Sequence, residues 1–143
     1  MIHDDGDFFI EASRECAVPG YLVLRLKGGE TSLAELSPAQ AQALGRLLAR
    51  AARAVERAAG ADRVYVLSFC EVDRRLHFHL FPRTAWLLAE FRRANVTAGD
   101  AVNGPALFEW ARKRFASEAD LPAGVAPAAA AATAIRNELA EGA

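Results

Sequence analysis

A chain of 143 residues, 52% of them apolar, is long enough to bury one substantial core and too short for two ordinary domains. Its 17 basic and 18 acidic side chains leave a formal net charge of −1, which excludes a protein that coats nucleic acid electrostatically over its whole surface. No stretch approaches the ~20 continuous apolar residues of a membrane span, and the isolated Cys16 and Cys70 indicate neither a disulfide framework nor a thiolate zinc site.

The opening Met1-Ile2-His3-Asp4-Asp5-Gly6-Asp7 is acidic and leads into only a brief apolar run. That is unlike the basic flank and longer hydrophobic core of a secretory signal, so a cytoplasmic location is expected. Asp7-Phe8-Phe9-Ile10-Glu11 reads as a first strand. Ser13 to Gly20 is a polar connection ending in the turn signal Pro19-Gly20, and Tyr21-Leu22-Val23-Leu24-Arg25-Leu26 is a second strand stopped by Gly28-Gly29. The two form an antiparallel hairpin.

Ser37-Pro38-Ala39-Gln40 is a capping box with proline at the first helical position, and a helix is predicted from there to about Ala59, stopped by Gly60. Leu44, Leu48, Ala51 and Val55 make its apolar stripe; Arg46, Arg50, Arg53 and Arg57 make another, roughly 200° away around the helix, that reads as a solvated face. Asp62 to Phe69 is a strand by its β-branched and aromatic content. A short connection then leads to an antiparallel neighbour.

That neighbour, Arg75-Leu76-His77-Phe78-His79-Leu80-Phe81-Pro82-Arg83, holds two of the three histidines of the chain. Side chains alternate across a strand, so Arg75, His77, His79 and Phe81 share one face while Leu76, Phe78 and Leu80 share the other. Two imidazoles flanked by arginines on one face make a site for an anionic group, with phosphate the obvious candidate. After Arg83, short helices are predicted over Ala85 to Arg93 and Pro105 to Ala116, with a turn-rich stretch from Val96 to Gly104 between them. An alanine-rich tail follows in which Pro127 opens a terminal helix. Its only large anchors are Ile135 and Leu139, so weak or partner-dependent docking is expected.

The histidine strand resembles the signature of the histidine triad family of nucleotide hydrolases and transferases, in which three histidines alternate with apolar residues and the strand often ends in Pro-Arg. Aligned on Pro82-Arg83, His79 falls on the third histidine and His77 on the middle one, and Arg75 replaces the first. The other register, beginning at His77 and ending on Phe81, leaves Pro82-Arg83 out of place. The run Pro19-Gly20-Tyr21-Leu22-Val23-Leu24 is similar to the second strand of the family. The resemblance implies an α+β fold: an antiparallel meander sheet with a long helix packed on it and a helical C-terminal extension. Residues 1–83 would form the nucleotide-binding core and residues 84–143 the extension of the same domain. It also implies a homodimer and a nucleotide ligand, with no membrane, nucleic-acid partner or required cofactor.

A neutral imidazole is a competent nucleophile because its pKa lies near ~6.5. The resemblance makes His77 the attacker at the α-phosphorus of a dinucleotide, a nucleoside phosphoramidate or a related conjugate, through a nucleotidyl-histidine intermediate. It makes His79 a phosphate ligand and places Ser13 near the ribose-binding position, while the charges of Arg75 and Arg83 are expected to supply a local positive field. Two departures stand out. Arg75 is permanently charged and cannot relay a proton as histidine does. Cys70-Glu71-Val72-Asp73 replaces a small, polar, glycine-containing stretch, with Val72 where the family carries a hydroxyl. These departures support an alternative, a catalytically weakened nucleotide-binding protein. Two plainer readings of the histidine pair also stand: strand residues hydrogen-bonded at a surface or interface, or a zinc or copper site, for which only Cys70, Asp73 and the remote His3 offer further ligands.

Overall fold

The computed structural model describes residues 1–96 and 101–141. Part of the turn-rich stretch expected between Val96 and Gly104 lies outside them. The described chain forms strands β1 (His3–Asp4), β2 (Phe8–Ala12) and β3 (Leu22–Leu26), helix α1 (Pro38–Ala59), strands β4 (Ala61–Leu67) and β5 (His77–Thr84), and helices α2 (Ala85–Ala94), α3 (Gly104–Arg114) and α4 (Ala128–Glu141). The strands make one antiparallel sheet in the order β1-β2-β3-β5-β4. The α+β class and antiparallel sheet agree with the sequence reading. The short β1 was not foreseen, and β5 is inserted between β3 and β4 instead of extending a simple meander.

Local chemistry sets the boundaries. The Ser37 hydroxyl accepts from the Gln40 N–H at 3.2 Å while the Gln40 side chain accepts from the Ser37 N–H at 3.1 Å, closing the capping box of α1. Gly60 ends the helix at φ +64°, a left-handed conformation that suits glycine. Gly20 has φ +87°, and a Cβ there would lie 2.9 Å from the Ala59 Cβ. The turn before β3 therefore requires glycine twice over, for its backbone and for its approach to α1.

The two faces of the sheet go to different layers. Phe8, Ile10, Leu22, Leu24, Leu26, Phe78 and Leu80 pack with Leu44, Leu47, Ala51, Ala54 and Val55 of α1. Helix α4 joins this core through Ile135 and Leu139, both almost fully buried. The expectation of weak docking is thus corrected: Ala131 extends the stripe of α4, and the arginine face of α1 holds its end. Arg50 donates to the Leu139 carbonyl at 2.6 Å and Arg57 pairs with Glu138 at 2.9 Å. On the opposite face Cys16, Val18, Tyr21 and Phe81 pack with Leu87, Phe91, Leu107, Phe108, Ala111 and Phe115 of the segment after β5. Among the described residues no helix is long and apolar enough to cross a membrane.

Candidate functional site

Register puts the polar residues of three strands on one face. Phe9 pairs with Arg25, Glu11 with Val23, Arg25 with His77 and Val23 with His79, so all of them lie opposite the α1 core. They line an open cavity of about 740 Å³ together with Ser13, Tyr21, Cys70, Val72, Asp73, Arg75 and Arg112. His77, His79, Arg75 and Ser13 therefore line one cavity. Arg83 does not: it lies outside the cavity, held by Asp62 through bonds of 3.2 and 2.6 Å. Its neighbour across the sheet is Arg63 on β4, and the nearby Asp62 carboxylate draws it to that edge.

His77 is buried, and its Nδ1 lies 2.8 Å from the Arg75 carbonyl. A carbonyl only accepts, so Nδ1 carries a proton, and the neutral tautomer that this bond selects has its lone pair on Nε2. The Ser68 hydroxyl donates to the His77 carbonyl at 2.8 Å, and Cys70 Sγ sits 3.7 Å from Nδ1. Cys70 holds φ +54°, a conformation costly for a side-chain-bearing residue, in the connection that folds over His77.

His79 has another environment. Its ring lies 5.1 Å from that of His77, and its Nδ1 is 2.8 Å from the Tyr21 hydroxyl. Burial is the main cause that pushes the Tyr21 phenol up to about 12, so it stays protonated and shares one hydrogen bond with His79 Nδ1. Burial, followed by the neighbouring His77 and Arg112, lowers His79 to about 4, so it is neutral at pH 7. Phe108 lies 6.0 Å from its ring and Tyr21 5.9 Å, closing the aromatic end of the cavity.

The other end is ionic. Arg75 lies before β5, not on it, and folds back so that Nε and NH2 donate to Asp73 at 2.9 and 2.7 Å. Asp73 also accepts from Arg25 at 2.9 Å, and Arg25 donates to Glu11 at 3.0 Å. The hydrogen bonds from Arg75 hold the Asp73 carboxyl far below the usual carboxylate range. The positive field expected from Arg75 is therefore largely compensated in place. Val72 is fully exposed, so the hydroxyl position of the resemblance is occupied by an apolar side chain in solvent.

Tyr21, Arg25 and Arg112 were not singled out from the sequence. The alternation Tyr21-Val23-Arg25 against Leu22-Leu24-Leu26 carried a readable signal for the first two. Arg112 had none, because α3 reaches the cavity only through tertiary packing. Among the described residues no group of three or more His, Cys, Asp or Glu is gathered to hold a metal.

No family model matches the chain, nor does any curated protein. Solved structures do resemble its fold. A Hit-like protein involved in cell-cycle regulation from Bartonella henselae superposes with a TM-score of 0.57 at 18% identity, over 96% of this chain and 84% of that one. A hypothetical histidine triad nucleotide-binding protein from Sulfolobus tokodaii strain 7 gives 0.56 at 14% identity, over 95% and 83%. A histidine triad protein from Sinorhizobium meliloti 1021 gives 0.51 at 21%, over 59% of this chain and 62% of its own length. The sheet and helices described above are thus a histidine triad-type fold.

Proposed function

We propose that this chain is a nucleotide phosphohydrolase or nucleotidyl transferase of the histidine triad type, acting at the α-phosphate of a dinucleotide, a nucleoside phosphoramidate or a related conjugate. The carrying observation is the hydrogen bond from His77 Nδ1 to the Arg75 carbonyl, which assigns the Nε2 lone pair of the neutral tautomer to the role of nucleophile on a ring lining an open cavity. The fold similarity supports the reading, and a Sulfolobus protein of that fold carries the words "nucleotide-binding" in its description. In the first step Nε2 attacks phosphorus as the bond to the leaving group breaks, giving a nucleotidyl-imidazole and a departing alcohol, phosphate or amine that takes up a proton. Water then attacks the same phosphorus, the N–P bond breaks, and nucleoside monophosphate leaves. In this reading His79, protonated at Nε2, donates to a non-bridging oxygen, and Ser13 binds the sugar. No cofactor is required in this reading. A homodimer and a cytoplasmic location belong to it as well.

One observation favours a second reading, a nucleotide-binding protein with little turnover. Arg75 and Arg25 are both engaged by carboxylates, and Val72 offers no hydrogen-bond donor. The two readings separate when purified protein and a His77→Ala variant are mixed with adenosine and guanosine dinucleotides and phosphoramidates. Intact-mass spectrometry then follows the adduct, and product analysis follows the monophosphate. An enzyme gives a nucleotidyl adduct and product that both vanish in the variant. A binder gives nucleotide-dependent stabilisation with neither.

A further inference from the structure

We propose that Arg112, carried by α3, is the phosphate-binding cation of the cavity, and that it releases Glu15 to take the phosphate of a nucleoside monophosphoryl group. This inference rests on the nucleotide reading above. Substrate phosphate needs a mobile or unfilled positive charge near the histidines. Three of the other arginines lining the cavity are poor candidates. Arg25 lies between Glu11 and Asp73, Arg75 donates twice to Asp73, and Arg14 is 86% exposed beside Glu11. The two histidines supply directed hydrogen bonds but no permanent charge.

Arg112 differs on three counts. Its guanidinium lies 5.4 Å from the centre of the Phe108 ring, and that ring is 6.0 Å from His79, so the cation is stacked at the histidine end of the cavity. Its Nε is buried without a hydrogen-bond partner, a donor not yet used. Its NH2 bonds Glu15, whose side chain is 71% exposed, so the carboxylate can return to water when a phosphate displaces it. A guanidinium with one free donor and one exchangeable partner suits a phosphate, which accepts two parallel N–H bonds. The C-terminal segment would then complete the site, in addition to covering the sheet.

Calorimetric titration of the full chain with AMP and with adenosine tests this. The wild type is expected to bind AMP about tenfold tighter than adenosine, and Arg112→Gln to lose that preference while its adenosine affinity is unchanged. Arg112→Lys should keep part of the preference, because charge survives and the fork does not. Glu15→Gln, an exposed change that leaves the fold intact, should tighten AMP about threefold without affecting adenosine. An AMP preference intact in Arg112→Gln, or equal losses for both ligands, would overturn the assignment and leave the nucleotide reading standing. A wild type that binds neither ligand would overturn both.

Discussion

His77 and His79 are two residues apart on one strand, yet the ends of the cavity they occupy are built on different physics. At the His77 end the side chains are ionic and form a chain from Glu11 through Arg25 and Asp73 to Arg75. At the His79 end an aromatic cluster of Tyr21, Phe81 and Phe108 packs beside the ring, and desolvation holds the imidazole neutral. The ionic end orients a ring through a backbone carbonyl. The aromatic end holds a similar ring uncharged. One sequence pattern therefore yields two environments because β5 runs from a solvated turn into a packed layer.

The sharpest way to break this contrast is to delete each imidazole in turn. His77→Ala removes the proposed nucleophile and should lower kcat for monophosphate release about a thousandfold or more, whereas His79→Ala removes one donor and should cost about ten- to a hundredfold. Single-turnover assays with adduct detection measure both. Equal losses would mean that the two rings act as a single unit and that the proposed division of roles is wrong.

Stability should divide along the same line. Phe81 is fully buried and meets Tyr21 and Phe108 edge-on at 5.1 and 5.2 Å, so Phe81→Ala should cost about 3–5 kcal/mol in urea unfolding. At the other end Val72 is fully exposed, and Val72→Ser should change stability by no more than about 0.5 kcal/mol. Comparable losses in the two variants would remove the claimed difference in packing.

Acid sharpens the comparison further. Folding lowers His79 to about 4, while the unfolded chain titrates near ~6.5. Between those values the unfolded state holds more protons, so stability is complete above the upper value and falls as pH drops through the window. With the ring only partly buried, the loss should amount to roughly 1–2 kcal/mol by pH 4. Urea midpoints at pH 7 and pH 4.5 should therefore separate less in His79→Gln than in the wild type. An identical separation in the two proteins would show that burial does not control this ring.

Much of this architecture was legible because its signals are local. Ser37, Pro38 and Gly60 bound α1, Pro19-Gly20 marks the turn into β3, and strand alternation alone places His77 and His79 together opposite Phe78 and Leu80. What was not legible depends on distant partners. Arg75 looked like the first member of a strand face, but Asp73 accepts from its backbone N–H as well as its side chain and bends it into the preceding turn. Arg83 looked like part of a positive field and is taken by Asp62. The docking of α4 is of the same kind, because alanines carry little periodic signal until α1 supplies the opposing surface. Arg112 reaches the cavity from a helix 33 positions after His79 in sequence, a contact that no spacing rule announces.

The mildest perturbation addresses whether the ionic end restrains binding. Asp73→Asn keeps the shape of the side chain but removes the charge that now neutralises Arg75 and Arg25. Both guanidinium groups border the cavity, so an arriving phosphate should find more positive potential, and AMP affinity should rise about threefold at low salt. The gain should shrink at ~0.5 M salt, since the freed charges are partly solvated and screened. A turn held by amide bonds in place of ion pairs should also let Arg75 swing toward the histidines, raising turnover as well as affinity. If titration shows weaker AMP binding instead, Asp73 is shaping the pocket through the turn, and the ionic end supports the ligand instead of competing with it.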